Sequence, residues 1–272
     1  MPGRPLHRIK SDLVCRSFRL PVSKRVHIMG ILNITPDSFS DGGRFFKKDN
    51  AIKQAMKMAE DGADIIDIGG ESTRPGAVDV GIDEEMRRVV PVIGYLAKRV
   101  KIPISVDTRK YEVAESAISA GASIINDVSG LAHDPRIGRL AADSKAGLIL
   151  MHMKGSPRDM QKNPSYKNLV GEIIRSLKLS VNKARRLGVG EESIAVDPGI
   201  GFGKSCIHNL FIINRLKEFA VLDKPICVGL SRKSFIGMIL GLRSPEDRLA
   251  GTIAANALAV MNGASILRVH DV

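Results

Sequence analysis

The chain contains few aromatic residues and few cysteines. Of its 272 residues none is tryptophan, three are tyrosine and eight are phenylalanine, which leaves little aromatic surface for stacking on nucleic-acid bases. The three cysteines, Cys15, Cys206 and Cys227, are odd in number and lack metal-ligand spacing. We therefore expect reduced thiols in a cytoplasmic protein rather than a disulfide framework.

Long apolar segments are also missing. No stretch approaches the ~18 apolar residues of a membrane-spanning helix, and the N-terminus has no apolar signal core. Residues 1–25 are rich in arginine and contain one acidic residue, Asp12. Two interpretations of this extension stay open: an organellar transit peptide, or a strand pair that caps the fold, since Val14–Leu20 alternates like a strand.

Positive charge is in excess, with a formal net charge of +12. A positive field favours anionic partners, which leaves nucleic acid, a phosphorylated small substrate, or helix faces that are simply solvated. The chain has no long block of lysine and arginine, which speaks against nucleic acid. Charge alone does not choose between these three interpretations.

The organising pattern is an alternation of short β-branched segments with segments of helical periodicity. Glycines follow four of the predicted helices, at Gly62, Gly121, Gly188 and Gly263, where a left-handed cap favours this residue. The eight predicted strands are Val26–Leu32, Ile65–Ile68, Ile102–Val106, Ile124–Val128, Leu148–Met151, Ile194–Val196, Ile226–Val228 and Ile266–Val269. Predicted helices are Ala51–Asp61, Asp83–Arg99, Tyr111–Ala120, Leu169–Leu187, Asn209–Phe219 and Pro245–Met261.

Eight strand–helix units within about 250 residues are typical of a (β/α)8 TIM barrel, an α/β fold with parallel strands covered by helices. No break in composition divides the chain, so we expect one barrel domain over residues 1–272, with residues 1–25 as an N-terminal extension. The sequence stops at Val272, just after the eighth strand. The eighth helix is therefore expected to be missing from this chain.

Polar and charged residues follow nearly every predicted strand. A barrel carries its chemistry at the C-terminal ends of its strands, and although one Asp or Asn there is more often a helix cap than a ligand, capping does not explain the whole set. The residues at or just after the strand ends include Asn33 at the first strand, Asp67 and Glu71 at the second, Asp107 and Arg109 at the third, Asn126 and Asp127 at the fourth, Met151 and His152 at the fifth, Asp197 at the sixth, Arg232 and Lys233 after the seventh, and Arg268, His270 and Asp271 at the eighth.

A glycine-rich run at Pro198–Ser205 looks like a phosphate-binding loop but fails both patterns. The mononucleotide pattern needs glycine where Pro198 stands. The dinucleotide pattern needs its third glycine where Lys204 stands. We predict a flexible loop after the sixth strand.

Three long motifs resemble the signatures of the dihydropteroate synthase family. They are Met29–Gly43, Asp67–Gly76 and Gly229–Gly237, with further matches at Asp197–Gly203 and Arg268–His270, and the resemblance covers roughly Leu13–Val272. It implies a pterin-binding barrel transferase of folate biosynthesis and a sulfonamide target. Such an enzyme condenses 6-hydroxymethyl-7,8-dihydropterin pyrophosphate with p-aminobenzoate, giving 7,8-dihydropteroate and pyrophosphate.

The resemblance also implies Mg²⁺ as cofactor and small molecules, rather than nucleic acid or a membrane, as partners. The final helix helps to form the dimer in this family, so a homodimer is expected if the natural chain carries that helix. Its absence is the one departure from the family pattern.

Roles for individual residues follow from the same resemblance. The carboxylates would accept paired hydrogen bonds from the amino and ring N–H groups of the pterin edge, and a helix start suits the carboxylate of p-aminobenzoate. The pterin would contact Asp107, Asn126, Met151, Asp197, Phe202 and Lys233; pyrophosphate Asn33, Arg74, Arg268 and His270; p-aminobenzoate Phe39, Thr73, Pro75 and Ser234. Asn33 would also ligate Mg²⁺, and Lys233, Arg268 and His270 would be catalytic.

Simpler interpretations of three of these residues stay open. Met151 is suited to plain barrel core, His270 taken alone is more often structural, and Pro75 is a common turn former. Two other functions also compete. A barrel that moves a methyl group from methyltetrahydrofolate to a corrinoid would share the Asp and Asn residues without the three motifs, and a catalytically silent barrel would bind nucleic acid through its basic surface.

Overall fold

A computed structural model describes residues 12–34, 44–72, 79–155 and 159–272. It opens with the short strands β1 (Leu13–Cys15) and β2 (Phe18–Leu20), which pair antiparallel. The remaining strands are β3 (His27–Asn33), β4 (Ile65–Gly69), β5 (Ile104–Asp107), β6 (Ile124–Asp127), β7 (Gly147–Met151), β8 (Ile194–Asp197), β9 (Cys227–Gly229) and β10 (Ile266–Val269).

These eight strands form one parallel sheet in the order β8-β7-β6-β5-β4-β3-β10-β9. A parallel bridge between Val196 and Ile226 joins the two outer strands, and the Val196 N–H donates to the Pro225 carbonyl over 2.9 Å. The sheet is therefore a nearly closed barrel.

Helices cover the outside of the barrel. They are α1 (Arg44–Glu60), α2 (Ile82–Leu96), α3 (Tyr111–Ala120), α4 (Arg136–Ser144), α5 (Leu169–Arg186), α6 (Cys206–Asn214), α7 (Ser234–Leu240) and α8 (Leu249–Met261), with 3-10 turns at Glu191–Ser193, Leu216–Leu222 and Glu246–Arg248. Their apolar faces and the outer faces of the strands form one large buried core, with Ile93, Leu96, Val113, Ile173 and Phe219 among its members.

The eight predicted strands are confirmed, with ends within two residues of those observed. The four helix-ending glycines have φ values of 97° to 117°, as their capping role requires. Helices α4 and α7 lie outside the predicted segments. The connection between β9 and β10 holds two helices, α7 and α8, so the described residues do not show that a helix of the barrel is missing.

The hairpin β1–β2 closes the N-terminal end of the barrel. Leu13, Cys15, Leu20 and Val22 pack on the lowest inward-facing side chains of the barrel strands. Arg16 at the hairpin turn donates to the carbonyls of Ile118 and Ala122 over 3.1 and 2.9 Å. With this end filled, the opposite end of the barrel is left for a ligand. The three cysteines are free thiols, as expected.

Candidate active site

Two layers of side chains fill the inside of the barrel, and the upper layer is polar. Side chains alternate along a strand, so residues two apart point the same way. On β4, β6, β8 and β10 the lower inward residue is apolar and the one two positions later is polar. These pairs are Ile65 and Asp67, Ile124 and Asn126, Ala195 and Asp197, and Ile266 and Arg268. The two-residue alternation along each strand therefore points these polar side chains into the barrel, and closure of the barrel buries them.

A cavity of about 340 Å³, including space open to solvent, lies above this layer. The cavity is lined by Asn126, Val128, Met151, Asp197, Ile200, Phe202, Gly229, Lys233 and Arg268. Six of these residues were predicted for the site, and the fold brings them together from four strands and two loops.

Arg268 joins the carboxylates of two neighbouring strands. Its Nε donates to Asp67 Oδ2 and its Nη2 to Asp107 Oδ2, each over 2.6 Å. Asn126 Nδ2 donates to the same Asp67 oxygen over 3.2 Å. The other oxygens of Asp67 and Asp107, both Oδ1, are buried and have no hydrogen-bond partner among the described residues. Two carboxylates therefore share one guanidinium, and each keeps one buried acceptor that no described group satisfies.

Burial raises the pKa of Asp107 to about 7, because Arg268 only partly offsets the cost of burying the charge and neighbouring carboxylates such as Asp67 add to it. Burial also raises the pKa of Asp197, whose Oδ1 accepts the Gly199 N–H over 2.6 Å. Carboxylic acids with raised pKa values inside a cavity are typical of functional sites.

The strand register places Asn33, Gly69, Asp107 and Asn126 side by side on four consecutive strands. A Cβ at Gly69 would lie 3.6 Å from both Asn33 Oδ1 and Asp107 Cβ. These are ordinary van der Waals distances, so the strand register, rather than the glycine, brings the amide and the carboxylate near each other at the rim of the polar layer.

The loop after β8 is packed, and the predicted flexible loop is wrong. Ile200, Phe202 and Lys204 are buried. Gly199 has a φ of 70°, and a Cβ there would lie 1.9 Å from the His152 carbonyl oxygen. The loop backbone lies directly on the end of β7, which only glycine permits. Its resemblance to a phosphate-binding loop therefore reflects close packing.

Lys233, just after β9, has its Nζ 4.3 Å from the centre of the Phe202 ring, a cation–π contact. Met151 packs with Phe202 in the same apolar cluster and also lines the cavity. It is therefore a core residue that is also in a position to contact a ligand. Lys233 and the Phe202 ring form the wall opposite Arg268.

His270 lies above β10 and bonds to Ser231. The Ser231 hydroxyl accepts the His270 backbone N–H over 3.1 Å, and its oxygen is 3.0 Å from Nδ1. The Ser231 hydroxyl donates to Nδ1 or accepts from it according to the tautomer of the ring. Ser234 is the first residue of α7, is exposed, and does not line the cavity.

Four predicted site residues, Phe39, Thr73, Arg74 and Pro75, lie outside the described residues. Two polar residues at the site were given no role from the sequence, Asp67 and Lys204. Asp67 could have been found, because it is a lone carboxylate within the apolar strand Ile65–Gly69. Nothing in the sequence distinguishes Lys204 from a surface lysine.

Comparison with known proteins agrees with this geometry. The family described as "Pterin binding enzyme" matches residues 29–270. The dihydropteroate synthase of Synechocystis sp. is 49% identical over 249 residues, covering 92% of this chain and 86% of the relative.

Two solved dihydropteroate synthases of Xanthomonas albilineans are similar in structure. One holds 4-aminobenzoic acid, with a TM-score of 0.90, 44% identity and coverage of 96% of this chain and 93% of the other. The other, in complex with 7,8-dihydropteroate, has a TM-score of 0.87, 41% identity and the same coverage.

The chain belongs to the pterin-binding enzyme family, and within it to the dihydropteroate synthases. It is a transferase. Within the described ranges, no helix has the length and apolar character needed to cross a membrane.

Proposed function

We propose that the chain condenses 6-hydroxymethyl-7,8-dihydropterin pyrophosphate with p-aminobenzoate, releasing 7,8-dihydropteroate and pyrophosphate. The observation that carries this proposal is the set of hydrogen-bonding groups of Asn126, Asp197, Lys233 and Arg268 that line one cavity, with Asp107 bonded to Arg268 beside it. These donors and acceptors suit a flat heterocycle rich in N–H groups. The ligands of the two Xanthomonas structures are one substrate and the product of this reaction.

The pterin would lie on the polar layer. Asp197 accepts from its amino and ring N–H groups, and Asn126 supplies both a donor and an acceptor. Met151 and Phe202 contact the ring faces. Lys233 donates to the ring carbonyl and N5 from the opposite wall. Asp107, paired with Arg268, completes the floor.

Pyrophosphate would lie at the rim, held by Asn33, Arg268 and His270, with Arg74 as a fourth contact. In the tautomer with its proton on Nε2, His270 would donate to a pyrophosphate oxygen. The described residues hold no cluster of three metal-binding carboxylate, histidine or cysteine side chains, which fits Mg²⁺ that is bound mostly by phosphate and water, with Asn33 Oδ1 as the protein ligand. Mg²⁺ bound there would neutralise charge on the leaving group.

p-Aminobenzoate would lie above the pterin, with its carboxylate near Ser234 and its ring near Phe39, Thr73 and Pro75. The amine is already nucleophilic, so the site needs no strong general base. In the proposed dissociative substitution, Arg268 and His270 stabilise the departing pyrophosphate, while Lys233 and Asp197 hold the pterin ring that carries the positive charge. Exclusion of water then leaves the amine as the attacking group.

We also propose that residues 1–272 act as one cytoplasmic domain and pair with a second copy. Helices α6, α7 and α8 pack against one another and share an outer face with exposed large apolar side chains, of the kind that mark interaction surfaces. Its exposed members are Ile207, Leu210, Phe211, Met238, Ile239, Leu240, Leu249, Ile253, Leu258 and Met261. A dimer would bury this face, and an eighth helix, if the natural chain has one, would lie beside β10.

The direct test is to incubate the purified chain with the two substrates and Mg²⁺ and to look for dihydropteroate by mass spectrometry. Product formation supports the proposal. A folded chain that binds methyltetrahydrofolate but forms no dihydropteroate supports the methyl-transfer alternative. Binding to nucleic acid with a steep salt dependence and without pterin affinity supports the nucleic-acid alternative.

A further inference from the structure

Lys204 is a buried lysine beneath the site that the proposed mechanism does not use. Its relative exposure is 2%, and its Nζ lies 2.9 Å from the Phe202 carbonyl oxygen, 3.0 Å from His152 Nδ1 and 3.4 Å from the His152 carbonyl oxygen. All three atoms accept hydrogen bonds when the imidazole is neutral. An ammonium has three N–H donors, so each has an acceptor within reach.

The charges around Lys204 fit this arrangement. Burial lowers its pKa to about 7, and the nearby Asp197 carboxylate opposes that shift. Burial and the charge on Lys204 lower the pKa of His152 to about 3, so the imidazole stays neutral and accepts at Nδ1. When Lys204 is protonated, its charge acts on Asp197 together with those of Lys233 and Arg268.

The loop that Lys204 holds touches the cavity at several points. The Gly199 N–H donates to Asp197 Oδ1 over 2.6 Å. A Cβ on Gly201 would lie 3.4 Å from Lys233 Cδ, and the Phe202 ring is 4.3 Å from Lys233 Nζ. A shift of this loop therefore moves three groups of the proposed pterin pocket together.

We propose that Lys204 is a positioning residue for the pterin: its ammonium fastens the loop 199–203 to the end of β7 and so places Asp197, Phe202 and Lys233 around the ring. This inference rests on the proposed function, because the ligand it positions is the pterin. Lys204 acts through these groups and does not itself line the cavity.

Lys224 provides a matched control for a purely structural role. It is also buried, with 7% exposure, and its Nζ donates to the Glu191 carbonyl over 2.8 Å and to the Glu191 carboxylate over 2.5 Å. It precedes β9, at the opposite end of the barrel from the cavity. Lys224→Met therefore removes a buried, bonded ammonium without touching the loop after β8.

The experiment measures binding of 6-hydroxymethyl-7,8-dihydropterin to the full chain by calorimetry, and KM for both substrates. Lys204→Met should weaken pterin binding about tenfold, the loss expected for a charge-assisted hydrogen bond. It should raise KM for the pterin pyrophosphate but leave KM for p-aminobenzoate within about twofold. Lys224→Met should leave pterin binding unchanged, although its loss in the free energy of unfolding should be equal to or larger than that of Lys204→Met.

Wild-type affinity in Lys204→Met overturns the inference, and so does an equal loss of affinity in Lys224→Met. If the folded wild-type chain binds no pterin, the proposed function is contradicted, and the inference about Lys204 is contradicted as well.

A second pair of variants tests the same link if Lys204→Met does not fold. His152→Leu removes the Nδ1 acceptor without removing a charge, and His152→Asn keeps a polar side chain able to accept from Lys204. Pterin binding should weaken by roughly threefold or more in His152→Leu and by less in His152→Asn. Equal affinities in the wild type and in both variants overturn the inference.

Discussion

Arg268 and Asp107 form a short ion pair inside the barrel, with Nη2 donating to Oδ2 over 2.6 Å. The same guanidinium bonds to Asp67, so one cation serves two carboxylates. The pair connects β10 with β5, whose residues are 161 positions apart in the chain. Its strength depends on burial, since the same contact at a surface contributes little.

Arg268→Met should be strongly destabilising, because it leaves two buried carboxylates without a counter-charge. We expect a loss of about 3 kcal/mol or more in the free energy of unfolding, measured by urea denaturation. The double variant Arg268→Met with Asp107→Asn should recover part of that loss. A single variant within about 1 kcal/mol of the wild type would contradict the buried ion pair.

Asp107 should make stability depend on pH. Its pKa rises from 3.8 to about 7 on folding, so the folded state holds its proton through a range in which the unfolded state has lost it. The contribution of Asp107 to the free energy of unfolding should therefore fall as pH rises from about 4 to about 7. Asp107→Asn cannot titrate, and its stability curve should lack this fall. Parallel curves for the two proteins would show that the pKa is not raised.

Lys233→Ala should reduce turnover far more than stability. The side chain is half-buried and makes a cation–π contact with Phe202, so we expect a stability loss below about 1 kcal/mol. Turnover should fall by about a hundredfold or more, because the proposed mechanism places Lys233 on the pterin ring. The exposed Lys217→Ala serves as control. Wild-type turnover in Lys233→Ala would refute the assignment of Lys233.

Gly199→Ala should disrupt the loop after β8. The new Cβ would lie 1.9 Å from the His152 carbonyl oxygen at a φ of 70°, so the backbone must move at a cost above about 2 kcal/mol. Gly62→Ala is the matched control, since φ is 109° but nothing lies within 4 Å of the added atom; it should cost about 1 kcal/mol. Equal unfolding free energies for the two variants would contradict the close packing.

The strands were predictable from sequence because β-branched runs are a local signal. Asp107, Asn126, Asp197 and Arg268 stood out because each is a polar residue within or just after such a run. Local sequence does not separate Asn126, which lines the cavity, from Asp127, whose carboxylate caps the following turn at Ser129 and Leu131.

Contacts between distant segments could not be predicted. Arg268 pairs with carboxylates on β4 and β5, and Lys204 folds back under its own loop onto β7. Both arrangements depend on how the barrel closes, which no short stretch of sequence encodes. The predicted flexible loop failed for the same reason: its glycines are set by the nearness of the β7 backbone.

The most direct test of the account is the rate of pyrophosphate release from 6-hydroxymethyl-7,8-dihydropterin pyrophosphate and Mg²⁺, with and without p-aminobenzoate. The account predicts that p-aminobenzoate accelerates release and that each pyrophosphate is matched by one dihydropteroate. A folded chain that neither binds the pterin nor releases pyrophosphate would contradict it.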